Sequence, residues 1–138
     1  AIILRMAGLY GPGRVPNIDA LKRGGPLAAN PLGWLNLIQI DDAAAAIALA
    51  ADDGRAETYV VSDGHPVLRR DYYAEVARLA GIERMEFAPE QMGATKAARS
   101  LGSKRIDPSK IVKQLGFHPR FPSFREGLAH AFAHPTLR

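Results

Sequence analysis

Two apolar runs lack the polar alternation of a half-buried strand: Ile2-Ile3-Leu4 near the start and Thr58-Tyr59-Val60-Val61 further on. A continuous apolar run predicts a strand covered on both faces, which is the pattern of a parallel sheet. Parallel strands need strand neighbours and long crossovers, usually helices. Nothing precedes the first run to supply a neighbour, so the chain reads as one that begins in the middle of a sheet.

The segments between the runs supply the crossovers. Gly8 to Pro16 reads as a loop, punctuated by Gly11-Pro12-Gly13 and Pro16. Asn17 can cap a short helix to about Arg23, ended by Gly24-Gly25. Pro26 to Gly33 is a second loop, and Leu35 to Ile40 a short strand. Asp41-Asp42 stand where a helix cap is expected, before the alanine-rich stretch Ala43–Ala51, and Gly54 lies past its end. Ser62-Asp63-Gly64 turns the chain after the second apolar run, and Pro66 to Leu68 is extended. Arg69 to Ala80 carries Tyr72, Val76 and Ala80 on one stripe and ends at Gly81. Arg84 to Ala88 reads as a short strand, and residues 90–101 as weakly helical. Asp107-Pro108 opens a helix to Leu115. Ser123-Phe124-Arg125-Glu126 matches a capping box, and Phe124, Leu128 and Phe132 line one face beyond it. Strands alternating with helices point to an α/β fold.

Length and charge exclude several classes. With 138 residues the chain is one domain on size, and its 47% hydrophobic and 23% charged residues are ordinary for a globular protein. No run reaches the roughly 18 apolar residues of a membrane span, and Ala1 to Met6 lack the basic start and cleavage site of a signal peptide. There are no cysteines, so neither disulfides nor thiolate metal sites hold the fold; this suits a cytoplasmic setting. The formal net charge is +4. Its lysines and arginines are scattered, with short pairs at Lys22-Arg23, Arg69-Arg70 and Lys104-Arg105, so a basic surface is favoured over nucleic-acid binding.

Read in order, the landmarks resemble one family. Ile3-Leu4-Arg5-Met6-Ala7-Gly8-Leu9-Tyr10-Gly11-Pro12-Gly13-Arg14 resembles the "LRPxxxYGPGR" strand and loop of the extended short-chain dehydrogenases/reductases, the NAD(P)-dependent epimerases and dehydratases. Leu37 to Ala44 resembles their "xIHVDDxA" segment. Thr58 to Asp63 resembles "YNVSD", and Pro66 to Arg70 "PVTRRE". Ser103 to Lys110 with Leu115-Gly116-Phe117-His118-Pro119 resembles "xxxIDxSKxxxxLGWxP", and Ser123 to Leu128 the closing "SxxEGL". Met6, Leu37, Gln39 and Leu68 depart from the family's usual Pro, Arg, His and Thr, which bears on the substrate more than on the fold.

The resemblance implies the C-terminal part of a Rossmann-type extended short-chain dehydrogenase fold. Residues 1–138 would form a single partial domain with few parallel strands and several helices, the first half of the sheet lying elsewhere. Complete members bind NAD or NADP on an N-terminal Rossmann half and a substrate, often a nucleotide sugar, on the C-terminal side. By the resemblance, Ala7 and Gly8 border the cofactor, and Tyr10, Arg14, Asn36, Arg99 and Arg105 line the substrate pocket, with Lys104 among the basic residues near its diphosphate.

The reaction centre of that family is a Tyr-x-x-x-Lys on one helix, where the Tyr is acid/base and the Lys lowers its pKa. Four residues after the four tyrosines stand Arg14, Asp63, Val76 and Ala77. The Gly8–Gly13 stretch follows a strand, but its spacing differs from a dinucleotide fingerprint, and Pro16 delays any helix. No catalysis and no tight cofactor binding are therefore expected of this chain alone. Its partners would be a small, possibly nucleotide-sugar, substrate and either the N-terminal Rossmann half or a second copy, since an open strand edge invites self-association. Neither nucleic acid nor membrane is expected.

Other constellations read as structural. Arg14 could grip a phosphate through its forked guanidinium, or simply follow a Gly-Pro turn. His130 and His134 have the i, i+4 spacing of metal ligands, but no Glu follows His130 and His134 precedes Pro135, so no metal is expected. Ser62, Asp63 and His65 have the chemistry of a triad but crowd one turn.

Overall fold

A computed structural model describes residues 1–88 and 104–135. The weakly helical stretch 90–101, and Arg99 with it, lies outside the described residues. The elements are β1 (Ile3–Met6), β2 (Gly8–Tyr10), α1 (Ile18–Arg23), β3 (Trp34–Leu35), β4 (Leu37–Gln39), α2 (Ile40–Asp53), β5 (Thr58–Val61), β6 (Val67–Leu68), α3 (Arg69–Ala80), α4 (Ser109–Leu115) and α5 (Phe124–Ala133). The α/β class and the parallel pairing follow the sequence.

β1 and β2 form one extended run that changes partner. β1 lies parallel to β5, with Ile3 opposite Thr58 and Met6 opposite Val61. Past Ala7, β2 lies parallel to β4, with Gly8 opposite Leu37 and Tyr10 opposite Gln39. β3 and β6 pair antiparallel, Trp34 opposite Leu68. The helices divide the apolar residues into two cores. One gathers Ala7, Ile38, Tyr59, Val61, Ile111 and Phe117 against the α2 alanines Ala43 and Ala46. The other gathers Tyr10, Tyr72, Tyr73, Val76, Phe124 and Leu128 where α3 and α5 pack on β2.

The first apolar run is not covered on both faces. Leu4 and Met6 pack on the α2–α4 core, whereas Ile3 and Arg5 face outward and Ile3 stays 52% exposed. A strand with one helix layer alternates in burial whatever its composition. Gly8-Leu9-Tyr10, expected in a loop, is strand because β4 offers it a ladder.

The expected strand Leu35–Ile40 is two strands with different partners, divided at Asn36, and Ile40 already belongs to α2. Asp41 and Asp42 do not cap α2. The Gln39 side chain does so, its Oε1 accepting from the N–H groups of Asp41 and Asp42. Asp42 is turned inward and accepts from the backbone N–H of Arg120 at 2.8 Å and of Phe121 at 2.9 Å.

Asn17 stands at the cap of α1 without a capping bond, and its Nδ2 donates instead to the Tyr73 hydroxyl at 2.6 Å. Arg84–Ala88 makes only an isolated bridge between Phe87 and Leu27. α4 begins one residue later than expected, with Asp107 Oδ1 accepting from Ser109 N–H at 2.9 Å. α3 ends at Gly81 and α5 opens with Glu126 Oε2 accepting from Ser123 N–H at 2.9 Å, both as the sequence predicts.

Candidate functional site

The change of partner at Ala7–Gly8 brings three strand ends together. Ala7 N–H donates to Val61 O at 2.9 Å, Gly8 N–H to Asn36 O at 2.9 Å, and Asp63 N–H to Leu37 O at 2.8 Å. Glycine fits closely here: a Cβ at Gly8 would stand 3.2 Å from Asn36 O and 3.3 Å from a Leu37 methyl, a tight approach. Its exposed, bare backbone lets another group approach closely. The N–H groups of both residues are committed to the sheet and are not free to donate elsewhere.

Asn36 carries the junction outward. Its Nδ2 donates to Lys104 O at 2.6 Å, and its Oδ1 accepts from Ile106 N–H at 2.7 Å. One amide thus fixes the segment that holds Arg105, a residue almost 70 positions away in sequence. The Arg105 guanidinium lies over the Trp34 ring, 5.2 Å from its centroid. Arg69 borders the same corner: its backbone N–H donates to Gly33 O at 2.9 Å and its guanidinium lies against Gly33. A cation over an aromatic face keeps its N–H edges free for an anion. Trp34 and Arg69 were not singled out from sequence; Trp34 is the one tryptophan of the chain and stands two residues from Asn36.

Tyr10 lies inside. Its ring is fully buried, edge-on to Tyr72, and its hydroxyl points at Ser123 O at 3.5 Å. Burial, with the Asp63 carboxylate behind it, raises its pKa far above the ordinary phenol value, so it keeps its proton at any physiological pH. Asp63 is also buried. Its Oδ1 accepts from His65 N–H at 2.8 Å, while Oδ2 has no partner among the described residues. Desolvation by burial pushes this carboxyl up to about 7, against the opposing pull of the His65 N–H.

Arg14 is elsewhere. It lines a hollow between the Pro12–Val15 loop, α1 and the end of α5 that includes neither Asn36 nor Arg105. Of the expected pocket residues, then, the fold joins Gly8, Asn36 and Arg105, buries Tyr10 and sets Arg14 apart. The Ser62–His65 stretch is a turn: Gly64 N–H donates to Ser62 Oγ, and the His65 ring meets the Asp63 carbonyl rather than its carboxylate. His130 and His134 stack at 4.3 Å. No group of three or more metal-ligating side chains occurs among the described residues, nor any helix long and apolar enough to cross a membrane.

No family model matches the chain. It is 34% identical over 122 residues to Protein YeeZ of Escherichia coli strain K12, a match that takes in 87% of this chain and 40% of that protein. Among solved structures, a functionally unknown conserved protein from Silicibacter pomeroyi superposes with a TM-score of 0.77 at 28% identity, over 96% of this chain and 47% of that one. A UDP-glucose 4-epimerase from Thermotoga maritima, solved with UDP-glucose, gives 0.76 at 20% identity over 96% and 45%. A dTDP-glucose 4,6-dehydratase from Bacillus anthracis, in complex with NAD, gives 0.74 at 19% over 96% and 43%. The chain has the fold of the C-terminal part of the extended short-chain dehydrogenases/reductases. It spans about 40% of the curated relative that it matches. In this extended short-chain dehydrogenase fold, the partner change at Ala7–Gly8 is where the two short parallel sheets diverge.

Proposed function

We propose that the chain forms the substrate-side wall of an NAD(P)-dependent oxidoreductase of the nucleotide-sugar epimerase or dehydratase kind. Asn36, Arg105 and Arg99 serve the substrate diphosphate, and Ala7 and Gly8 border the cofactor. The observation that carries this reading is the unbroken connection from Gly8 through Asn36 to Arg105. It ties an exposed glycine at a sheet junction to a guanidinium held over Trp34, with no hydrogen-bond or ion-pair partner among the described residues. Arginine in that setting favours forked hydrogen bonds to phosphate oxygens. When bound, NAD(P) would accept or return the hydride; this chain's residues contact and orient. With no Tyr-x-x-x-Lys in the sequence, the chain by itself is catalytically silent.

Trp34 gives the test its signal, because it is the one tryptophan. UDP-glucose or dTDP-glucose should quench its emission saturably, R105Q and N36A should weaken the response at least tenfold, and NADH emission should stay unshifted. A folded chain whose Trp34 ignores nucleotide sugars at several millimolar overturns the proposal.

A second reading, a self-associating assembly module, is favoured by one observation. Among the described residues β1 pairs with β5 alone, and Ile3 stands exposed beside that edge.

A further inference from the structure

The sequence singles out Arg14 as a cation able to hold an anion, yet its hollow shares no residue with the Asn36–Arg105 wall. The hollow has a volume of about 730 Å³, within the range of small-molecule sites. Its loop is stiff: Gly11 and Arg14 exchange backbone hydrogen bonds at 2.9 Å in both directions. Arg14 Nε donates to Leu9 O at 3.2 Å, which orients the guanidinium, and its outer N–H groups have no hydrogen-bond partner among the described residues. Neither Arg14 nor Lys22 pairs with a carboxylate among the described residues. Val15, Ile18 and Phe132 make the apolar floor, and among the described residues Asp19 is the one acidic group in the lining.

We propose that this hollow binds a small apolar carboxylate, with its charge on Arg14 and Lys22 and its body on Val15, Ile18 and Phe132. The charge balance selects the class. Among the described residues, two cations face one carboxylate and the carbonyl end of α5, which carries about half a negative charge. The surplus is roughly +0.5, enough to hold one carboxylate and too little for a diphosphate. The floor adds what a hydrated inorganic anion could not use, apolar area removed from water.

The test is a ¹H–¹⁵N NMR titration of the 138-residue chain at constant pH. The probes are 4-phenylbutyrate, the neutral 4-phenylbutanol and pyrophosphate. The acid should shift the amides of residues 13–15, 18–22 and 131–132 saturably. The alcohol should bind those residues at least tenfold more weakly, and pyrophosphate should leave them in place. K22Q and R14Q should each weaken the acid several-fold and leave the alcohol unchanged. Among the described residues Lys22 is exposed and forms no side-chain hydrogen bond or ion pair, and a matching melting curve for K22Q separates binding from folding. Equal affinity for acid and alcohol, tighter binding of pyrophosphate at these residues, or no shift at all would each overturn the proposal.

Discussion

Asp63 is a carboxyl inside the protein, 5% exposed, with one oxygen unpartnered, Tyr10 beside it and the acids Asp42 and Glu126 near enough to disfavour its charge. Its folded pKa of about 7 is above the value near 3.9 of an unfolded aspartate. The folded state therefore binds the proton more tightly than the unfolded state. The stabilisation is fully present below about pH 4 and drains away as pH rises through 7, with a slope of at most about 1.4 kcal/mol per pH unit. Glu75 and Glu57 have lowered values, through hydrogen bonds from Arg78 and Lys110 respectively, so their contribution is lost only at lower pH. Thermal melts should show falling stability between pH 5 and 7, and D63N should flatten that slope. A wild-type profile that rises across this window would contradict the burial argument. Gly127 is the second residue whose role is geometric. A Cβ there would collide with the hydroxyl and ring of Tyr10. G127A should thus cost about 1–3 kcal/mol, the usual range for overpacking, seen as a lower urea midpoint with an unchanged slope.

At the scale of elements, legibility followed the range of the interaction. α3 and α5 could be read because their apolar spacing and their ends are local: Gly81 closes one and the Ser123–Glu126 box opens the other. β2 could not, because Gly8-Leu9-Tyr10 beside Gly-Pro-Gly has the composition of a turn and becomes strand only where β4 meets it. The break at Asn36 was hidden for the same reason, since it falls where β3 and β4 take different distant partners, Leu68 and Val67 for one and β2 for the other. At the site, Asn36 and Arg105 could be picked out by resemblance, but their connection and the Trp34 platform needed the fold. Asp42 is the clearest case. Its sequence neighbourhood says helix cap, and its two oxygens hold Arg120 and Phe121. Hydrogen bonds to a charged acceptor contribute more than neutral ones, and a buried N–H left alone costs about 1–3 kcal/mol. D42A should therefore destabilise the chain by about 2–4 kcal/mol. Amide exchange at residues 120 and 121 should accelerate in it well before that of α3. Exchange that speeds up uniformly would mean that Asp42 is no local clamp between α2 and the approach to α5.

For the molecule as a whole, β1 is the strand whose surroundings bear on association. Its inward residues Leu4 and Met6 are packed, its outward residues Ile3 and Arg5 are not, and β5 occupies one edge only among the described residues. A strand in that state costs little while the chain is dilute, because water satisfies the free edge. At higher concentration a second copy can supply both a ladder and a cover for Ile3. An added ladder and one half-exposed isoleucine are a small interface compared with the roughly 1,200–2,000 Å² of stable complexes. Any self-association should then be weak and strongly concentration-dependent. I3K separates this from folding. A lysine on an exposed edge strand repels a second copy, while a surface change of this kind alters stability by only about 0.5 kcal/mol. Sedimentation velocity should show I3K remaining monomeric at concentrations where the parent chain dimerises, with matching melting curves. If the parent chain is itself monomeric throughout, β1 does not recruit a copy. The edge then remains available to strands of another segment, as the substrate-wall reading requires.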